Sequence, residues 1–242
     1  MWQESKTDVE SGTSEPLYPM MLEAPELRWA FIRKIYSIVA VQLILTAVVS
    51  AFVVSYRPVS TFLTTTNAGL CVYILIILTP FVVLWPLRFF YQRHPVNFIL
   101  LGVFTLALSF SIGLTCAYTS GKVILEAVIL TAVVVVSLTL YTFWAVRRGQ
   151  DFNFLGPFLF ASLIALILFG FIQIFFPLGG IAEMIYGCLA SVIFCGYIVY
   201  DTDNIIKRNT YDEYIWASVS LYLDIIDLFL ALLKIFKLVN RE

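Results

Sequence analysis

An all-α fold that spans a membrane is predicted for this 242-residue chain by three observations. The composition is 61% hydrophobic and only 13% charged, against roughly 25% charged in an ordinary soluble domain, and the mean hydropathy is +0.93. The uncharged stretches have the length, about 20 residues, that a helix rising ~1.5 Å per residue needs to cross a bilayer core. The basic residues gather in the short connections on alternate sides, the bias that orients polytopic helices. So many apolar side chains, 21 Phe among them, exceed what a soluble fold of this size can hide. A cytosolic enzyme, a secreted module and a nucleic-acid binder are therefore excluded. The formal charge of −1 also offers nothing to a phosphate backbone. The one partner the composition requires is the lipid bilayer.

The chain divides into an acidic tail, residues 1–28, and a helical domain, residues 29–242. The tail carries Glu4, Asp8, Glu10, Glu15, Glu23 and Glu26 with three prolines. It has no apolar segment of the kind a cleavable signal peptide needs, and it reads as mostly disordered. Lys34 and Arg57 then frame 22 uncharged residues, the first span. The polar run Ser60, Thr64, Thr65, Thr66 and Asn67 reads as a loop before a second span at about 70–87. Further spans are expected at 96–117, 123–145, 154–176, 181–204 and 213–236, with Pro177 and Gly179–Gly180 marking a turn. Seven transmembrane helices result.

With the N-terminus cytoplasmic, that side holds Arg28, Arg33, Lys34, Arg88, Arg93, Arg147, Arg148, Lys207 and Arg208. The far side has Arg57 and Lys122 in its loops, a strong bias for this orientation. Lys234, Lys237 and Arg241 break the pattern. Either the last helix crosses, or it turns back and returns its basic end to the cytoplasm. Cys71, Cys116, Cys188 and Cys195 lie in apolar runs without CxxC spacing and read as small packing residues. The single histidine, His94, stands in a polar loop, so a histidine-ligated metal is not expected.

Ionisable side chains at bilayer depth cost at least ~2.5–3.5 kcal/mol on insertion scales and are functional candidates by default. Asp224 is the deepest, and Asp227 follows three residues later on nearly the same face. That face reads Ser220, Asp224, Asp227, Ala231, Lys234, a small and polar stripe that belongs inside a bundle. Asp201 lies near the end of the sixth span. Counted from Asn209 at the centre of the connecting loop, the two carboxylates differ in depth by roughly 10 Å if both helices are regular. They meet only if a helix tilts or breaks. A meeting pair would share one proton and offer oxygens to a hard cation such as Ca²⁺. The plainer alternatives are an ion pair of Asp201 with Lys207 or Arg208, and a hydrogen-bonded packing role for Asp224. Glu126, four residues after Lys122, reads as a snorkelling ion pair or as the mouth of a cation path. Glu183 reads as interfacial. Gly187, Ser191 and Cys195 recur every four residues, a spacing that lets helix backbones approach closely.

The run Phe194-Cys195-Gly196-Tyr197-Ile198-Val199-Tyr200-Asp201-Thr202, followed by Ser220-Leu221-Tyr222-Leu223-Asp224-Ile225-Ile226-Asp227-Leu228-Phe229, resembles the Bax-inhibitor family, closest to its eukaryotic Lifeguard branch. FIRKIYSI at 31–38, HPVNFILLGVFTL at 94–106 and ILEAVILTA at 124–132 support the likeness, which covers about residues 28–240. The resemblance implies a seven-helix bundle whose last helix is surrounded by the other six. It implies a pH-sensitive Ca²⁺ leak across endomembranes (endoplasmic reticulum, Golgi or vacuole) and suppression of programmed cell death. By motif, Asp201 and Asp224 fall on the proton-sharing pair that acts as pH sensor and gate, with Ca²⁺ as the permeant or bound ion and no further cofactor. An arginine that latches the pair maps near Arg88 and Arg93, with Tyr91 at the facing position. Asp227 departs from the pattern, since many members carry Asn there.

Two functions follow as expectations. The leading one is a pH-gated Ca²⁺ leak channel, not an enzyme. The alternative is a non-transporting scaffold that regulates cell death through other membrane proteins or cell-death regulators, using its acidic tail and basic C-terminal end. An intramembrane aspartyl protease fits poorly, because Leu221-Tyr222-Leu223 precedes Asp224 where such enzymes need a flexible, glycine-rich approach.

Overall fold

The computed structural model describes residues 16–19, 21–56, 62, 66–90, 93, 95–176 and 179–240. Arg57, Ser60, Thr64, Thr65, Tyr91, His94, Pro177, Arg241 and the first 15 residues of the tail lie outside the described residues. The long helices are α1 Pro25–Ser55, α2 Asn67–Phe90, α3 Val96–Ala117, α4 Gly121–Arg147, α5 Leu155–Phe175, α6 Gly180–Lys207 and α7 Tyr214–Val239. A single 3₁₀ turn, Tyr211–Glu213, leads into α7 and is closed by a reciprocal capping box between Thr210 and Glu213. Gly179 enters α6 with φ 85°, a left-handed conformation that favours glycine.

Six of these helices, α1 to α6, are long and apolar enough to cross a membrane. They carry large apolar side chains outward: Ile44, Val48 and Phe52 on α1, Phe81, Val82 and Trp85 on α2, Ile129, Val133 and Val136 on α4, Ile167 and Phe171 on α5, and Val192 on α6. A soluble protein does not display so much exposed hydrocarbon, and the chain is an all-α membrane protein.

α7 is built differently. Fifteen of its 26 residues are buried, in runs such as Ser218-Val219, Leu221-Tyr222 and Asp224-Ile225-Ile226, and a half-buried stripe of Trp216, Ser220, Leu223, Asp227, Leu230 and Lys234 completes the circumference. It packs on α6, α4, α1 and α3, while α2 packs mainly on α3 and α5 mainly on α6. The last helix is thus central, with four principal neighbours rather than a ring of six. It is continuous and does not turn back. Its first turn lies beside the start of α1 and the end of α6, and Lys237 near its end lies beside Tyr118–Val123 at the opposite end of the bundle.

Small residues set the close approaches. At Gly187 on α6 a Cβ would come within 2.8 Å of Ile235 and 3.4 Å of the Ala231 carbonyl, so α6 and α7 touch nearly backbone to backbone. Gly196 receives Leu159 of α5, and Gly113 on α3 receives Val53 of α1. Cys116 is buried and Cys195 half-buried, but Cys71 and Cys188 are exposed, so only two of the four cysteines pack as expected. Of the acidic tail, Leu17 is buried in the core, and the Tyr211 hydroxyl donates to Glu23 at 2.7 Å.

Candidate functional site

The stripe Ser220, Asp224, Asp227, Ala231, Lys234 faces α6, the helix that Gly187 draws close. There the carboxyl groups of Asp201 and Asp224 face one another within electrostatic range, an arrangement in which one proton can be shared between them. Asp224 is 8% exposed, and its Oδ2 is buried with no partner among the described residues. No basic side chain among the described residues forms an ion pair with either carboxyl. Tyr197, one turn before Asp201, lies within electrostatic range of both. Asp227, one turn further along α7, is near Tyr186 instead, and the Lys234 ammonium lies 4.8 Å from the Tyr186 ring centroid.

The two aspartates meet without a broken helix. Counted from the helix ends, Lys207 and Tyr214, rather than from the loop centre, their offset is about 6 Å. Helix tilt and two side chains cover that. The 3₁₀ turn is the reason, because it places the start of α7 later than a symmetric loop would.

Lys207 and Arg208, weighed as partners of Asp201, belong to Asp203. The Lys207 Nζ lies 2.8 Å from Asp203 Oδ1 and the Arg208 Nη1 2.9 Å from Oδ2, and the Asp203 carboxylate is fully buried. Arg208 also pairs with Asp151, and Lys207 donates to the Gln150 carbonyl. The Arg208 hydrogen bond holds the Asp151 carboxyl below its usual range, and Lys207 adds to the effect. Arg28, itself buried, donates to the Asn209 carbonyl at 2.6 Å and the Lys207 carbonyl at 3.3 Å, with Glu23 at 3.5 Å. A helix C-terminus leaves carbonyls without partners, and this guanidinium supplies them. Its face also lies over Phe31 and Tyr211. The Glu23 hydrogen bond raises the Tyr211 hydroxyl above the usual phenol range. This clasp ties the start of α1, the α4–α5 loop and the α6–α7 loop together. Sequence reasoning missed it, although the four-residue step from Asp203 to Lys207 was an available signal.

Glu126 pairs with Lys122 at 3.7 Å on an exposed face, which is the snorkelling arrangement. The Arg88 guanidinium lies 5.0 Å from the Trp216 ring centroid on α7, two turns before Asp224, and Arg93 lies over Phe90. Among the described residues no three His, Cys, Asp or Glu side chains gather as a metal cluster. The Asp201–Asp224 pair alone supplies at most about four of the six to eight oxygens that Ca²⁺ takes.

On its other side α7 carries a polar seam that the sequence reading also missed. The Tyr222 hydroxyl bonds Thr46 of α1 at 2.7 Å, Ser109 of α3 donates to Thr46 at 3.0 Å, and Gln42 donates to Thr105 at 3.0 Å. These residues are scattered through apolar runs with no motif, so only the fold brings them together.

Two kinds of similarity accompany this geometry. Residues 28–241 match the family model described as inhibitor of apoptosis-promoting Bax1. The chain is 66% identical over 240 residues to Protein LIFEGUARD 2 of Arabidopsis thaliana, covering 99% of this chain and 100% of that one. It is 37% identical over 216 residues to Protein lifeguard 4 of Mus musculus, covering 89% and 88%. It is 34% identical over 217 residues to the Golgi anti-apoptotic protein of Vaccinia virus (strain Lister), again covering 89% and 88%.

Proposed function

The chain belongs to the Bax-inhibitor family, in its Lifeguard branch, and from that premise we infer that it restrains programmed cell death by passing Ca²⁺ slowly across an endomembrane. The observation that carries this reading is the juxtaposed Asp201–Asp224 pair between α6 and the buried α7. With the shared proton in place, the pair clips the two helices together. Removing it leaves two like charges side by side in a medium that screens them poorly, so they repel. The clip then opens toward Asp227, Tyr186 and Lys234, the polar positions next along the same interface. On this reading α7 spans the bilayer with the other six helices, the N-terminus is cytoplasmic, and the protein is a channel rather than an enzyme. The Golgi naming of the viral relative favours an endomembrane location.

Ca²⁺ flux into proteoliposomes between about pH 6 and 8, where a shared carboxyl proton can titrate, tests the reading. The wild-type protein is expected to show a pH-dependent leak, and Asp201→Asn and Asp224→Asn are each expected to flatten that dependence. A wild-type, equally pH-dependent leak in both variants would remove the pair from the gate. No flux from folded protein would move the cell-death role to contacts with other proteins.

A further inference from the structure

The other side of α7 forms a site of a different kind. α1 and α4 touch near the start of α1, where Trp29 stacks on Phe143 at 5.9 Å and Tyr36 lies against the same ring. From there they diverge. The wedge between them is a cavity of about 530 Å³, with α1 (Leu43 to Val54) and α4 (Ile124 to Val136) as walls, α3 behind, and Ile225, Ile226 and Phe229 of α7 as floor. Ligand sites fall in the range of roughly 300–1,000 Å³.

The wall chemistry narrows the occupant. Its hydroxyls are already committed as donors: Thr46 to the Gln42 carbonyl at 2.8 Å, Ser50 to the Ser109 carbonyl at 2.9 Å, and Thr131 to the Ala127 carbonyl at 2.7 Å. A ligand in the wedge meets hydrocarbon and satisfied hydroxyls, which suits an alkyl chain and gives a polar group no donor. The flanking faces of α1 and α4 are the lipid-facing ones, so the wedge opens where acyl chains are.

At its far end the wedge changes character. Cys116 and Ile124 line it, and the adjoining polar cavity of about 370 Å³ is lined by Tyr118, Thr119, Ser120, Val123, Lys237 and Asn240. Ile124 of the wedge adjoins Val123 of the polar cavity on α4, and Cys116 of the wedge lies two residues before Tyr118 of the polar cavity, so the two compartments are neighbours. Among the described residues the lining of the polar cavity includes no carboxylate. The nearby Glu126 is paired with Lys122, and among the described residues no carboxylate stands within ion-pair distance of Lys237.

We propose that this two-compartment site holds one anionic glycerophospholipid, with an acyl chain in the wedge between α1 and α4 and its headgroup on Lys237. The lipid caps the polar seam of Thr46, Ser109 and Tyr222 and supports α7 on the side opposite Asp224.

Native mass spectrometry of the full chain, with phosphatidylserine or phosphatidylcholine added to the detergent, tests the proposal. Phosphatidylserine should be retained about fivefold better than phosphatidylcholine, as one favourable basic contact implies. Lys237→Ala should abolish that preference. Ala132→Phe, which fills the wedge from α4, should cut retention of both lipids, and Ala47→Phe, which fills it from α1, should do the same. Both positions are exposed, and an unchanged unfolding temperature would show that the variants fold. Equal retention of the two lipids by the wild type, or a preference that survives Lys237→Ala, would overturn the headgroup assignment. Undiminished retention in both phenylalanine variants would overturn the site.

Discussion

Asp201 and Asp203 are two residues apart on one helix and face nearly opposite directions, because each residue turns a helix by about 100°. Asp203 is fully buried and meets two cations, Lys207 and Arg208. Asp201 meets a second acid, Asp224. The same side chain at nearly the same depth is therefore held between cations in one place and set against a second acid in the other. What differs is the neighbour each face of α6 presents, the basic loop end for Asp203 and the central helix for Asp201. Burial alone does not set the role of a carboxyl. The partner does.

The sharpest way to break this contrast is the same substitution at both positions. Asp203→Asn leaves Lys207 and Arg208 without their shared counter-charge, and removing one member of a buried ion pair costs about 3 kcal/mol. In a chain of this length that is a fall in Tm of roughly 6–12 °C. Asp201→Asn keeps a side chain that can bond Asp224 without a shared proton, so its cost should stay under about 1 kcal/mol. Thermal unfolding of the two variants in detergent at neutral pH measures both. Equal losses would mean that Asp201 and Asp224 also hold the fold together by charge.

The next effect concerns what Asp203's neighbours rest on. Arg28 closes the carbonyls of Lys207 and Asn209, and charge-assisted hydrogen bonds of this kind contribute about 2 kcal/mol. Arg28→Met should lower stability by about that amount. Arg28→Lys should recover less than half of it, because an ammonium cannot present the planar fork that reaches both carbonyls. Full recovery in Arg28→Lys would reduce the clasp to a charge effect.

The two regions were unequally legible in the sequence. Long apolar runs have a length and a composition, so helices such as α3 and α4 stand within a few residues of where the sequence places them. The stripe Ser220, Asp224, Asp227, Ala231, Lys234 was legible because helical periodicity puts these residues on one face. The depth of Asp201 relative to Asp224 was not, since it depends on a three-residue 3₁₀ turn, Tyr211–Glu213, that no apolar pattern encodes. Arg28 was read as a topology marker because its partners are backbone carbonyls about 180 residues away. The Gln42, Thr46, Ser109 and Tyr222 seam had no spacing to betray it, as single hydroxyls on three helices become a network only when the helices pack.

The smallest effect separates the two regions by pH. Arg208 holds the Asp151 carboxyl below its ordinary value of 3.8, and Lys207 assists. A carboxylate with a depressed folded pKa contributes its full stability at pH values above the unfolded pKa and loses it as the pH falls through the lower, folded one. The clasp is therefore constant from neutral pH down to about pH 4 and weakens below that. Asp151 is 58% exposed, so solvent screens the pair and Asp151→Asn should cost less than about 1 kcal/mol at pH 7. The difference between variant and wild type should persist at pH 5 and shrink toward zero as the pH drops below about 4. A response of the protein between about pH 6 and 8 then cannot originate at Asp151, so this range separates the clasp from the gating proposed for the Asp201–Asp224 pair. If the Asp151→Asn difference instead vanished between pH 8 and 6, the clasp itself would be titrating in that range, and the assignment of pH sensing to the other face of α6 would lose its support.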